Sequence, residues 1–260
     1  MSDAASSLQG KAVATLRNHP KLVLGGRCPA CIHRCPVNGT EQCYGEPNSP
    51  GMLRLLQRWP HEDALDKDSV LYDIGSGFGR LGAFLSLVTN ASVRGIEINE
   101  CRYRESIKLQ RSIRSVDMHL DFRLGDARTL GVADATHCFL ASTCWSASLF
   151  SSIFEMAIAA PRLRSIIILS KRLPTAWNVD PRLSQLASSW GHVVAVNAVP
   201  TTYGGASAFF IRRGRCDEHG SILQQHRSCW SWQQASAEAD RQAQLLTHRT
   251  FAVSHANLQR

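Results

Sequence analysis

A chain of 260 residues with 44% hydrophobic and 19% charged residues has room for one substantial core with short extensions, and its composition excludes a disordered protein. Its longest apolar runs, such as Ile166–Leu169 and Ala206–Ile211, fall far short of the ~20 residues that cross a bilayer, so no transmembrane helix is expected. A formal charge of +8 favours polyanionic partners such as nucleic acid or nucleosomes, or else a basic, solvated surface, because no block of five or more like charges occurs.

In chain order, residues 1–43 read as a weakly patterned segment. Its opening lacks the charged start and apolar core of a secretory signal. With nine mostly scattered cysteines, an odd number, a reducing compartment is expected rather than a disulfide framework. The segment ends in Cys28, Cys31, Cys35 and Cys43, spaced C-x2-C-x3-C-x7-C. Four thiolates so placed can hold tetrahedral zinc, with His33 as a substitute ligand, or else remain free thiols in a loop.

Met52, Leu55, Leu56 and Trp59 recur at helical spacing and predict a short amphipathic helix over Ser49–Trp59, stopped by Pro60. An acidic stretch, His61–Asp68, is expected to follow as a surface connection. Apolar runs then alternate with helical patterns. Strands are predicted at Ser69–Ile74, Ser92–Ile98, Leu120–Leu124, Ala135–Ala141, Ser165–Leu169, Val193–Val199 and Ala206–Arg212, and helices at Arg80–Thr89, Cys101–Ile113, Ser148–Ala159 and Arg182–Trp190.

This alternation implies an α/β, doubly wound, mostly parallel sheet of seven strands, covered on both faces. The short TTYGG link between the last two strands implies a hairpin, hence one antiparallel strand at the sheet's end. That combination is the class I methyltransferase variant of the doubly wound fold. Residues 214–260, with Trp230, Trp232 and a weak helical pattern through Ala235, Ala239, Ala243 and Leu246, are expected as an extension. The expected organisation is therefore 1–43, 44–213 and 214–260.

The first predicted strand runs into YDIGSGFGR, residues 72–80. Gly75, Gly77 and Gly79, with Ser76 between them, form a turn before a helix, the place where doubly wound proteins bind a nucleotide-like cofactor. Gly77-Phe-Gly-Arg-Leu-Gly82 also matches the dinucleotide pattern G-x-G-x-x-G. Register argues against that reading, since Gly75 already closes the strand. Charge argues the same way: Asp73 would meet a pyrophosphate unfavourably, whereas a carboxylate favours the sulfonium and ammonium of S-adenosylmethionine. Glu97 ends the second strand 22 positions after Gly75, near the ~20-residue offset of a ribose acceptor. Asp126, after the third strand, is expected at the adenine amino group.

The segments Tyr44-Gly-Glu46, Tyr72-Asp-Ile-Gly-Ser-Gly-Phe-Gly79, Gly95-Ile-Glu97, Gly125-Asp126 and Leu169-Ser-Lys-Arg172 resemble, in order and approximate spacing, the non-SET histone-lysine methyltransferases of the disruptor-of-telomeric-silencing type. The resemblance covers about residues 44–213. It implies that Tyr44 and Glu46 belong to a loop closing over the cofactor's methionine end, and that Asp73, Gly75, Gly77, Glu97 and Asp126 bind S-adenosylmethionine. It also implies a lysine acceptor, with nucleosomal histone as the best-guess substrate, and with it a nuclear location, or a cytoplasmic one otherwise.

This sequence departs from the family at Ala141-Ser-Thr-Cys-Trp145, where hydroxyls replace paired amides, at Arg80, where the family has glutamine, and at Phe209 and Phe210, which stand for an aromatic pair. The expected acceptor channel comprises Tyr44, Ser142, Thr143, Trp145 and Tyr203. Alternatively, Trp145 packs at a helix start capped by Ser142 or Thr143. The competing functions are a non-histone protein or small-molecule methyltransferase, and a binding module that has lost transfer and holds nucleic acid or chromatin through Arg212, Arg213, Arg215 and the Trp230–Trp232 tail.

Overall fold

The structure is a computed structural model that describes residues 3–23, 45–113, 118–142, 145–170, 181–202, 204–214, 234–235, 237–239 and 241–242. The cysteine cluster Cys28, Cys31, Cys35 and Cys43, and the channel candidates Tyr44, Thr143 and Tyr203, lie outside the described residues. Strands β1 (Val70–Ile74), β2 (Ser92–Glu97), β3 (Leu120–Leu124), β4 (His137–Ala141), β5 (Ser165–Ser170), β6 (Gly191–Thr201) and β7 (Gly204–Arg213) form one sheet in the order β3-β2-β1-β4-β5-β7-β6. The first five pair in parallel, and β7 runs antiparallel to both β5 and β6. This is the mixed sheet of the Rossmann-like methyltransferase fold.

The expected hairpin is present, but its antiparallel strand is not the sheet's end. β7 inserts between β5 and β6, and β6 takes the edge. Side-chain pattern explains the choice. The run Ala206–Ile211 is buried residue after residue, as an interior strand covered on both faces must be, whereas β6 carries half-buried positions throughout. The β6 edge is covered by Gln242, whose side chain accepts from the Ala198 N–H (2.6 Å) and donates to the Val196 carbonyl (3.0 Å). Nearby, Ala235 and Ala239 are buried against the same body.

Strand alternation sends successive side chains to opposite faces, and both faces bury them. One core holds Tyr72, Ile74, Cys138, Leu140, Ile166, Ile168 and Phe209 under α7 (Ala147–Ile158) and α8 (Pro181–Trp190). The other holds Leu71, Val93, Phe139, Ile167, Leu169 and Phe210 under α1 (Asp3–Asn18), α2 (Pro20–Val23), α3 (Ser49–Arg58), α4 (Arg80–Thr89) and α5 (Glu100–Ser112). A short α6 (Ala127–Leu130) follows β3. Phe84, Phe139, Phe150, Phe154, Phe209 and Phe210 are fully buried, and truncating any one of them to alanine costs about 3–5 kcal/mol. No helix among the described residues is long and apolar enough to cross a membrane.

Two sequence expectations are corrected here. The weakly patterned N-terminal segment contains α1, which buries Ala12 and Leu16 in the second core. Its apolar stripe is so narrow that periodicity barely shows. The acidic connection His61–Asp68 is not uniformly a surface feature: a 3-10 turn, His61–Asp63, buries Asp63, whose carboxylate accepts two guanidinium bonds from Arg212. Phe209 and Phe210, matched to an aromatic pair by the resemblance, point to the two opposite cores, where Phe210 meets Trp59 edge-on at 5.6 Å.

A glycine of β2 and the glycine that opens α4 admit one aromatic ring. Gly95 pairs with Asp73 on one side and Phe122 on the other. A methyl group added at Gly95 would overlap the Phe122 ring and come within 2.8 Å of Ser76 Oγ, and one at Gly79 would overlap the same ring. Gly95→Ala is therefore expected to lose about 1–3 kcal/mol through overpacking, read as a lowered thermal midpoint. Phe122→Leu in the same chain should recover part of that loss; equal midpoints for wild type and Gly95→Ala would refute this account of the glycine.

Candidate active site

The turn after β1 brings the carboxyl ends of β1 and β2 together at the point where the strand order reverses, with β4 on the other side of β1. Gly75, Gly77 and Gly79 all have positive φ (78°, 56° and 75°), which side chains with a Cβ rarely adopt. Their amides are turned inward. Gly75 and Ser76 both donate to the Ile96 carbonyl (2.9 and 3.1 Å), Gly77 donates to Glu97 Oε2 (2.8 Å) and Gly79 to the Ser76 carbonyl (2.8 Å). A phosphate cradle needs such N–H groups aimed at the ligand. This loop has bound them into the fold, so the accidental dinucleotide pattern has no pyrophosphate site behind it.

Glu97 is the brace. Besides Gly77, its other oxygen accepts from the Asn99 N–H at 2.8 Å, and Arg102 lies 3.9 Å away. Burial pushes its carboxyl above the ordinary value, opposed by the Asn99 amide, Arg102 and the Gly77 amide. Each carboxylate oxygen has two lone-pair positions, so Glu97 retains acceptor capacity for a ribose hydroxyl while holding the loop.

Asp73, at the end of β1, is 3% exposed. Burial, with Glu46 and Glu97 nearby, pushes its carboxyl up to about 7. Among the described residues no donor hydrogen-bonds it. Gly82 on α4 keeps that flank open, since a Cβ there would lie 3.5 Å from Asp73 Oδ2. Beside the turn, the buried Ser76 hydroxyl likewise has no partner.

Glu46 joins this group from the segment before α3. Its amide donates to Thr202 Oγ1 (3.3 Å), its carbonyl accepts from the Thr202 N–H (2.9 Å), and Pro47 bridges Thr201, so the segment is pinned to the end of β6. Its buried carboxylate pairs with Arg80, the first residue of α4, whose guanidinium also lies 4.9 Å from the Phe78 ring. The departure at Arg80 thus has a structural role: it ties the glycine turn to the segment bearing Glu46.

Asp126 lies at the same end of the sheet, one residue beyond the Gly125 N–H that donates to the Glu97 carbonyl (3.0 Å). Its carboxylate caps α6 through Arg128 N (2.9 Å) and accepts from Arg128 Nε (3.0 Å), which together hold it below its ordinary pKa. An adenine amino group would share this carboxylate with Arg128.

At the end of β4, Ser142 is buried and its hydroxyl has no partner among the described residues, while its amide donates to Leu140 and Leu169 carbonyls (both 3.0 Å). Trp145 lies against the turn, with Cζ2 3.5 Å from the position of a Cβ on Gly75. The cap of α7 is Ser146, accepting from Leu149 N at 3.2 Å. That leaves Ser142 free of the capping role considered from sequence.

The structure therefore gathers Glu46, Asp73, Ser76, Gly77, Glu97, Ser142 and Trp145 at the carboxyl ends of the strands. Sequence reasoning missed three contributors. Asn99 carries a visible signal, a side-chain cap opening α5 through Arg102 N (3.1 Å). Arg102 and the Arg80–Glu46 pair carry none, since partners 34 positions apart leave no periodic trace.

No family model matches the chain, and no curated protein matches it. Among solved structures, it is similar to M. capricolum TrmK in complex with S-adenosyl-homocysteine, with 10% identity and a TM-score of 0.45 over 58% of this chain and 65% of that one. It is also similar to magnesium protoporphyrin IX methyltransferase from Synechocystis PCC 6803 with bound S-adenosylmethionine (16%, 0.45, 55% and 69%). TrmN from Thermus thermophilus compares at 15% identity and 0.46, over 63% of this chain and 47% of that one. The chain spans less than two thirds of the TrmK structure's length. At these values the likeness is one of general fold and says nothing of substrate.

Breaking one member of a buried ion pair leaves the other uncompensated, at about 3–5 kcal/mol. Arg80→Met should show a loss of that order in denaturant titration, and the double variant Glu46→Gln, Arg80→Met a smaller one; a single-variant loss under about 1 kcal/mol would make the pair equivalent to an exposed one.

Because the folded pKa of Asp73 is raised to about 7 from 3.8, the folded state keeps a proton that the unfolded chain gives up. This group's contribution to stability is full at low pH and is lost as pH rises from about 4 through about 7. Stability curves of wild type and Asp73→Asn across that range should diverge with this sign; parallel curves would contradict the assignment.

Proposed function

We propose that this chain is an S-adenosylmethionine-dependent methyltransferase. The observation that carries the reading is the arrangement of charge and donors at the turn. The loop's amides are bonded inward, and three buried carboxylates, Glu46, Asp73 and Glu97, stand beside it with two arginines. Such a site repels a phosphate and favours a cation that also carries hydroxyls. The orphaned carboxylate of Asp73 and hydroxyl of Ser76 fit such a ligand.

When bound, S-adenosylmethionine supplies a methyl group on a sulfonium for in-line transfer to a neutral nucleophile. The chain's own residues do the holding. Glu97 receives the ribose hydroxyls, Asp73 favours the positive end, and Glu46 is held beside the turn by Arg80 and Thr202; the motif resemblance assigns Tyr44 to the loop over the cofactor's methionine end. Ser142 offers its free hydroxyl to an acceptor nitrogen, and Trp145 covers the turn and excludes water. The finer reading, a lysine amine as acceptor with nucleosomal histone as first candidate, draws on the motif resemblance at Tyr44-Gly-Glu46 and Gly95-Ile-Glu97. Zinc at the cysteine cluster would brace that same segment, one residue before Tyr44.

Labelled methyl from S-adenosylmethionine, offered to nucleosomes, free histones and fractionated lysate, should appear in a protein fraction. Glu97→Gln should abolish the label and cofactor binding by calorimetry. Label confined to small molecules would replace the lysine reading, and micromolar binding retained in both Asp73→Asn and Glu97→Gln would sink the cofactor assignment.

A further inference from the structure

A second constellation lies at the other end of the sheet. The turn at His61–Asp63, the segment before β5 and the carboxyl end of β7 border a groove of about 490 Å³ lined by Glu62, Asp63, Arg162, Arg164, Arg212 and Arg213 among others. β5 is six residues long, so the groove lies about 20 Å from the glycine turn's end of the sheet. Nothing in the transfer chemistry uses it.

Its four arginines are not equivalent. Arg212 is neutralised, with Nε 3.0 Å from Asp63 Oδ2 and Nη2 3.1 Å from Glu62. Arg213 is a clamp: Nη1 donates to the Pro161 carbonyl (3.0 Å), and its amide donates to the Arg164 carbonyl (2.9 Å). The Arg164 amide donates in turn to the Thr136 carbonyl (2.8 Å). The backbone of 161–164 is thereby fixed to two strands. On that backbone stand Arg162 and Arg164, both exposed, and among the described residues neither guanidinium makes a hydrogen bond or ion pair. Set against Glu62 and Asp63, the four arginines leave the groove with a net charge of +2.

Two unpaired guanidiniums on a rigid backbone suit phosphate, whose oxygens match the planar donor fork. The chain's charge of +8 adds a field that attracts a polyanion. A membrane surface is disfavoured, because the exposed large apolar residues among those described, Val13, Val23, Ile98, Leu124 and Leu130, are all absent from the groove. We propose that this groove binds the phosphodiester backbone of a nucleic acid, with Arg162 and Arg164 as the phosphate contacts. Arg212, considered for that role from sequence, is instead held by Asp63 and Glu62.

The test is fluorescence anisotropy of the full chain with a labelled DNA duplex and a labelled single-stranded RNA over a salt series. Arg162→Ala with Arg164→Ala should weaken binding and reduce the slope of log affinity against log salt by about 1.8 on duplex and about 1.4 on single strand, for two lost phosphate contacts. Arg54→Ala with Arg58→Ala, the same charge change on the exposed side of α3, should alter the slope much less. Equal effects of the two double variants, or unchanged binding by the first, would overturn the site. So would a loss confined to anionic lipid vesicles. Cofactor calorimetry on the same variant should match wild type, so failure here and failure of the transferase reading are separable.

Discussion

Three carboxylates, Glu46, Asp73 and Glu97, lie in one buried region, and much of the local structure follows from how their charge is contained. Each is handled differently. Glu97 is stabilised by two backbone amides and a nearby arginine, Glu46 by a direct guanidinium partner, and Asp73 by neither. Isolated buried charge is costly enough that the unpartnered group holds its proton up to about pH 7. The ordering has a consequence for the glycine turn: Glu97 takes the Gly77 amide, so the loop cannot act as an anion cradle. The acid that braces the turn also defines what the turn can receive.

Glycine-rich turns invite the inference that a ligand approaches the backbone. Here that inference holds for part of the turn only. Gly75, exposed and flanked by Trp145, is free to face a ligand. Gly79 is required by the Phe122 ring, which also occupies the space over Gly95. A turn glycine and a β2 glycine therefore serve one aromatic side chain of β3. Close approach can be an internal packing demand, and the sequence pattern is the same in either case.

That ambiguity marks the boundary of what could be read from the chain. Strands and helices with a clear apolar period were legible within a residue or two, because the near-continuous apolar runs of β1, β4 and β5 record burial on two faces. So were Asp73 and Glu97, fixed by their offsets from the turn. Helix α1 was not, since two buried side chains make no stripe. Nor was the position of β7, because a hairpin link is compatible with either order of its strands and only the uninterrupted burial of Ala206–Ile211 decides it. Arg80 stood out as a departure, but its pairing was not legible, as its partner lies 34 positions away. Pairings set by tertiary approach leave no local signature, and the candidate site depends on such pairings more than the sheet does.

The polarity of a parallel sheet separates the two ends chemically. At the carboxyl ends, β1 and β2 carry Asp73 and Glu97 and the turn after β3 carries Asp126, so negative charge accumulates there. At the opposite end, β7 returns antiparallel and delivers Arg212 and Arg213 beside Arg164, which precedes β5. Formal charge of the whole chain conceals this division. Only one of these arginines is fully compensated, and that compensation comes from the turn holding Asp63, whose carbonyl also contacts buried His137 at 3.1 Å. Burial, with help from Arg164, pushes His137 down to about 4, so it stays neutral under that cluster. The basic end is thus supported by groups that add no further positive charge, leaving its unpaired guanidiniums to act outward.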